Sequence, residues 1–156
     1  MRLAADTNWL QAIYFDSSRS PIVDRFLRRH GLPLFVSAPV LLECRNVFSR
    51  IAGDGRPAEW VHLESDLGSR IQRLPLSWEE IVSAAEDLIG RYSAHSTLGT
   101  LDLAIVAAAR AGEATHFLSF DSHSGARALA GVLRMEVFPA LTPGEREQMS
   151  ALKRLK

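Results

Sequence analysis

Four acidic residues sit where a solvated surface acid has no reason to be. Asp6 directly follows a short apolar run, Leu3 to Ala5, and Asp121 closes a second, Thr115 to Phe120. Such runs suit buried strands of a parallel sheet, and sites in these sheets form outside the carboxyl ends of the strands. Both acids are therefore predicted on one rim. Asp102 shares a helix face with Ile105, Val106 and Ala109, because each residue turns about 100°. A carboxylate aimed at a core needs a cation, a hydrogen-bond donor or a proton. Glu43 flanks a stripe predicted to be buried, formed by Val40, Cys44, Val47 and Ile51. Asn46 and Arg50 share its side, a polar edge of the kind found at the lip of a cleft.

If the four acids converge, they cannot all ionise cheaply without a cation. No Cys or His stands near them at zinc-like spacing, and hard carboxylate oxygens suit Mg²⁺ or Mn²⁺. Such ions keep waters, hold substrate phosphates and activate a water nucleophile, which points to phosphodiester chemistry. Each acid also has a plainer account. Asp6 and Asp121 precede helices, where Asp is a common cap. Asp102 favours the dipole of a first turn, and Glu43 has Arg50 as a partner on its own helix. Those accounts work singly; they do not explain two strand-end acids and two inward helix acids in one chain.

The elements that must position these residues follow from periodicity and stop signals. Helices are predicted after Asp6-Thr7-Asn8, over 21–30, from a Ser37 cap to about Ala52, over 57–72, and from the Ser77–Glu80 capping box to Tyr92. Further helices are predicted over 100–111 and 124–130, and after the Thr142–Glu145 capping box with Pro143 at the first helical position. Strands are predicted at 3–5, 34–36, 115–120 and 135–138, with 73–77 extended. Strands alternating with helices imply an α/β fold with a parallel sheet covered on both faces.

Composition narrows the rest. The 156 residues suit one domain, 47% of them are apolar, and 18 basic residues balance 18 acidic ones. This excludes a disordered chain, a strongly basic nucleic-acid coat protein and, with Cys44 alone, a disulfide scaffold. Asp6 interrupts any signal-peptide core, and no apolar stretch approaches a bilayer span of about 20 residues, so a cytoplasmic location is expected. Sixteen of the basic residues are Arg, whose planar fork suits phosphate. Arg45 and Arg50, beside the predicted cleft, are better placed for this than the 24–30 segment. Trp9, Trp60 and Trp78 fit a core or interface, and Cys44 an inert core thiol.

Read together, Ala5-Asp6-Thr7-Asn8, the 41–46 segment Leu-Leu-Glu-Cys-Arg-Asn, the helix from Leu101-Asp102 to Ala109, and Phe117-Leu118-Ser119-Phe120-Asp121 resemble a PIN-domain ribonuclease. The resemblance is specifically to VapC-type toxins of bacterial and archaeal toxin–antitoxin pairs. The 131–139 run resembles the closing strand of that family. The resemblance implies an α/β/α sandwich with a central, mostly parallel sheet. It implies an endoribonuclease dependent on Mg²⁺, with Mn²⁺ plausible, hydrolysing tRNA or rRNA by metal-activated water. Asp6, Glu43, Asp102 and Asp121 would form the catalytic metal site. Thr7, Asn8, Asn46, Ser119 and Arg50 would stand around it as orienting or substrate-facing groups. Expected partners are an RNA substrate, a cognate antitoxin wrapping an apolar groove near residues 40–72, and a second copy in a homodimer, with no membrane. Residues 1–140 would form the nuclease domain and 141–156 a helical extension of it.

Two other classes are weaker fits. A PIN-like fold kept as a non-catalytic RNA- or protein-binding module would not need all four acids. A phosphotransfer enzyme on small esters would want a Gly-rich phosphate loop or an Asp-x-Asp nucleophile, and the chain has neither.

Overall fold

The computed structural model describes residues 1–155. Five short strands form one sheet: β1 (Leu3–Ala5), β2 (Leu34–Val36), β3 (Ile71–Arg73), β4 (His116–Leu118) and β5 (Glu136–Phe138). Their order is β3-β2-β1-β4-β5, and every pairing is parallel. Parallel neighbours need crossovers, and helices supply them. These are α1 (Thr7–Tyr14), α2 (Ser20–His30), α3 (Ala38–Ala52), α4 (Ala58–Asp66), α5 (Trp78–Tyr92), α6 (Thr100–Ala111) and α7 (Ala126–Val132), followed by α8 (Pro143–Lys153). The fold is the α/β/α sandwich expected from the alternation of elements.

The order reverses at β1. The chain builds outward through β2 and β3, then returns to place β4 on the other side of β1. In open α/β sheets the crevice beyond such a switch point is where ligands bind. Ala5 pairs with Leu118, and the Asp6 amide donates to the Leu118 carbonyl at 2.9 Å. The residues following β1 and β4 therefore leave the sheet side by side.

Several sequence expectations shift. The helix predicted over 57–72 ends at Asp66, because Gly68 turns the chain at φ 91° and Ile71 enters β3. The extended segment predicted over 73–77 thus moves upstream, and only Arg73 of it is strand. The strand predicted over 115–120 shortens to 116–118, and the helix predicted over 124–130 begins at Ala126. In α3 the buried stripe runs through Val40, Leu41, Cys44 and Phe48, while Ile51 is exposed. Four-residue steps hold this face; three-residue steps to Val47 drift off it. Both capping boxes form, Ser77 with Glu80 and Thr142 with Glu145. Ser37 stands at the cap of α3 but makes no side-chain capping bond. Among the described residues no helix is long and apolar enough to cross a membrane.

Candidate active site

Asp6 caps α1 at the switch point and is buried, at 5% exposure. One carboxylate oxygen accepts from the Thr7 amide at 2.8 Å, the other from the Ser119 hydroxyl at 2.8 Å. The capping role foreseen for Asp6 is therefore real, but it engages only one of its oxygens. Burial is the main force on this carboxyl and pushes its pKa up to about 6. The Ser119 and Thr7 donors pull it back in part, and the charges of Glu43 and Asp102 push it further up.

The neighbouring residues lock this arrangement. The Thr7 hydroxyl donates to Glu43 on α3, drawing that half-buried carboxylate toward Asp6. Glu43 thus partners Thr7, and among the described residues it forms no ion pair with Arg50. Asn8 braces the other strand end: its side-chain oxygen accepts from the Phe120 amide at 2.8 Å and its amide donates to Ser119 Oγ at 3.3 Å. Ser119 Oγ also accepts from the Asp121 amide at 3.2 Å. Asp6, Thr7, Asn8, Glu43 and Ser119 are thereby one hydrogen-bonded unit joining β1, β4 and α3.

Asp102 enters from the first turn of α6, half-buried, with no side-chain hydrogen bond or ion pair among the described residues. Burial raises its pKa, and the charges of Asp121 and Glu43 raise it further. Gly99, which caps α6, lies against it; a Cβ there would stand 3.7 Å from the carboxylate. Asp121 lies beyond β4. Burial alone would raise its pKa, but the His123 amide, the Ser124 hydroxyl and the Ser124 amide together outweigh that and lower it, the two amides donating to Oδ1 at 3.0 and 3.2 Å. It does not cap α7, whose cap is Gly125. Asn46 and Arg50 lie on the exposed side of α3, outside the hydrogen-bonded unit.

Asp6 feels the charges of Glu43 and Asp102, and Asp102 those of Asp121 and Glu43; none of the four is in an ion pair among the described residues. Among those residues no group of three or more His, Cys, Asp or Glu side chains is drawn close enough to hold a metal ion directly. The donors are all hard oxygens. This fits an ion held by one or two carboxylates with water completing its shell, the habit of Mg²⁺, rather than a dehydrated cage.

Sequence reasoning missed Arg127. It is 3% exposed and inserts beneath the site. Its guanidinium donates to the Ser119 carbonyl at 2.8 Å, to the Pro139 and Ala140 carbonyls at 2.8 and 2.9 Å, and to Glu145 of α8 at 3.0 Å. The available signal was a charged residue inside the run Ala126 to Ala130. The pairing also gives the 141–156 extension a structural role, since Glu145 carries the buried counter-charge.

Asp6 makes the stability of the metal-free protein depend on pH. Its carboxyl titrates near 3.8 ordinarily and at about 6 in the fold, so the folded state binds the proton more tightly than the unfolded chain. This contribution is fully present below the ordinary pKa and is lost as pH rises through about 6. It amounts to roughly 2–3 kcal/mol at most. The metal-free thermal midpoint should fall between about pH 4 and about pH 6.5, and Asp6→Asn should remove that part of the fall. Parallel profiles for the two proteins would show that Asp6 bears no such penalty.

A five-stranded parallel sheet with a buried acid at its switch point and further acids nearby defines a class of α/β proteins with an acidic edge. The PIN domain family model matches residues 4–131, and the chain belongs to that family. Among solved structures, the chain is similar to the VapC20 toxin of Mycobacterium tuberculosis, a sarcin–ricin loop cleaving toxin. The likeness has a TM-score of 0.59 at 20% identity and covers 80% of this chain and 93% of that one. No curated protein matches the sequence.

Proposed function

We propose that this chain is an endoribonuclease dependent on Mg²⁺ or Mn²⁺, and the toxin of a toxin–antitoxin pair. The observation that carries the reading is Asp102, a half-buried carboxylate with no hydrogen-bond or ion-pair partner among the described residues, facing the charges of Asp121 and Glu43. Such a group calls for a cation. Membership of the PIN family and the likeness to a sarcin–ricin loop cleaving toxin support a use for that cation.

Asp6, Glu43, Asp102 and Asp121 would surround the ion, one or two of them binding it directly and the others through its waters. Asp6, Glu43 and Asp121 each spend oxygens on fixed donors, which sets their direction before any ion arrives. When bound, the ion supplies charge for the phosphate and lowers the pKa of a water molecule. Thr7 and Ser119 orient the carboxylates, and Asn8 keeps the two strand ends in register. Asn46 and Arg50, exposed on α3, would meet substrate. The protein would act on tRNA or rRNA in the cytoplasm, as a homodimer. Its antitoxin would cover the 40–72 hairpin, where Leu42, Ile51 and Val61 are exposed.

The test is incubation of purified protein with mixed RNA in Mg²⁺ or in chelator. Cleavage only with metal, leaving 5′-phosphate and 3′-hydroxyl ends, is the expected result. Light scattering should give twice the mass of the chain. Failure of Mg²⁺ and Mn²⁺ either to shift the thermal midpoint or to support cleavage would favour a non-catalytic binding module.

A further inference from the structure

A cavity of about 530 Å³ lies between α5, α6, the end of α7 and the end of α8, and four cations surround it: Arg91, Arg110, Arg134 and Lys153. Among the described residues Asp87 is the single acid in its wall, and Leu88 and Leu133 give it apolar surface. Among the described residues none of these five charged groups is in an ion pair. Arg91, Arg110 and Lys153 stand in the last turns of their helices, where a cation favours the helix dipole. That explains each of them singly; it does not explain why they meet at one cavity.

Arg134 lies outside any helix, one residue past the cap of α7, in the left-handed conformation at φ 68°. Glycine is the unstrained choice there. The chain instead carries a guanidinium at this position, on the wall of the cavity. Gathered, unpaired positive charge wants an anion, and Arg forks match phosphate oxygens two at a time. Apolar wall beside that charge suits the face of a base or ribose.

We infer that this cavity binds a nucleotide unit of RNA, flanking the segment at the acidic edge. α6 joins the two places: Asp102 stands in its first turn and Arg110 in its last. Eight residues of helix separate them by about 12 Å, roughly the rise of three or four stacked nucleotides. The inference rests on the ribonuclease reading for the choice of RNA over other phosphate compounds.

The test uses the full chain in chelator, so that binding is read without cleavage. The probe is a short fluorescein-labelled oligouridylate, titrated by anisotropy across a range of salt. The variants are Arg134→Gly, which removes the charge and relieves the backbone, and the double variant Arg134→Gly with Arg110→Gln. Removing one phosphate-binding cation should lower the slope of log affinity against log salt by about 0.7, so the double variant should show a slope lower by about 1.4. Arg134→Gly should melt at or above the wild-type temperature, so weaker binding cannot be ascribed to unfolding. Unchanged slopes, or no binding by the wild type, overturn the inference. Unchanged RNA binding with new affinity for a polyglutamate peptide overturns it in favour of an acidic protein segment. If the wild type binds RNA here and Asp102→Asn binds equally, yet neither cleaves with metal, the nuclease reading fails while the cavity assignment stands.

Discussion

Asp102→Asn should reduce metal-dependent RNA cleavage by at least about a hundredfold, past the 10–100-fold usual for an outer partner of a metal site. The amide keeps the shape and removes the charge. Asp102 makes no side-chain hydrogen bond among the described residues, so the change breaks none. It also relieves repulsion from Asp121 and Glu43, which already raises the pKa of this carboxyl. The metal-free thermal midpoint should therefore stay level or rise. In wild type, Mg²⁺ should raise the midpoint by linkage, and in the variant that increment should shrink. If Asp102 served only the dipole of α6, the outcome would differ in every respect. Stability would fall by a few tenths to about 1 kcal/mol, and the Mg²⁺ increment would survive. Full metal-dependent cleavage by the variant would defeat the mechanism.

The parts of this site that were legible in sequence are those governed by local rules. Asp6 and Asp121 could be placed because strand ends are marked by apolar runs, and parallel strands present their carboxyl ends together. Asp102 could be placed because a helix fixes which residues share a face. Capping boxes gave the starts of α5 and α8 directly. What stayed hidden depends on distant pairing. The Thr7–Glu43 bond spans 36 residues and the Ser119–Asp6 bond 113, and neither leaves a periodic trace. The end of α4 was missed because apolar spacing continues past Asp66, and only the backbone of Gly68 shows that a turn intervenes. Asp121 was legible as a strand-end acid, but what binds its carboxylate was not. Its oxygen serves the amides of a loop, which lowers its pKa while those of Asp6 and Asp102 are raised. The acids at this edge are thus pushed in opposite directions, Asp121 toward its charged form and Asp6 and Asp102 toward the proton.

Glu145→Ala should be the most destabilising single change in the C-terminal extension. Glu145 is 3% exposed and does two jobs. One oxygen accepts from the Thr142 amide at 3.0 Å, closing the capping box of α8, and the other accepts from Arg127 at 3.0 Å. Truncating it leaves a guanidinium buried without its counter-charge, which costs about 3–5 kcal/mol. For a chain of this size that lowers the thermal midpoint by roughly 6–20 °C. Replacing both members of a buried pair by apolar groups is often neutral, yet Arg127→Met with Glu145→Leu should recover only part of the loss. Arg127 also serves the buried Ser119 carbonyl and the part-buried bonds to Pro139 and Ala140, and a buried carbonyl left bare costs about 1–3 kcal/mol. The Ser119 carbonyl matters beyond stability, because the hydroxyl of the same residue fixes Asp6. In the double variant, measured well below its melting temperature, the Mg²⁺ concentration giving half-maximal cleavage should rise. Glu145→Gln keeps one acceptor oxygen, so its amide nitrogen must face Thr142 or Arg127; it should melt lower than wild type, while Arg127, still holding the Ser119 carbonyl, keeps that concentration near the wild-type value. An unchanged Mg²⁺ requirement in the double variant would mean that Ser119 stays in place without its anchor, and that Arg127 serves the fold alone.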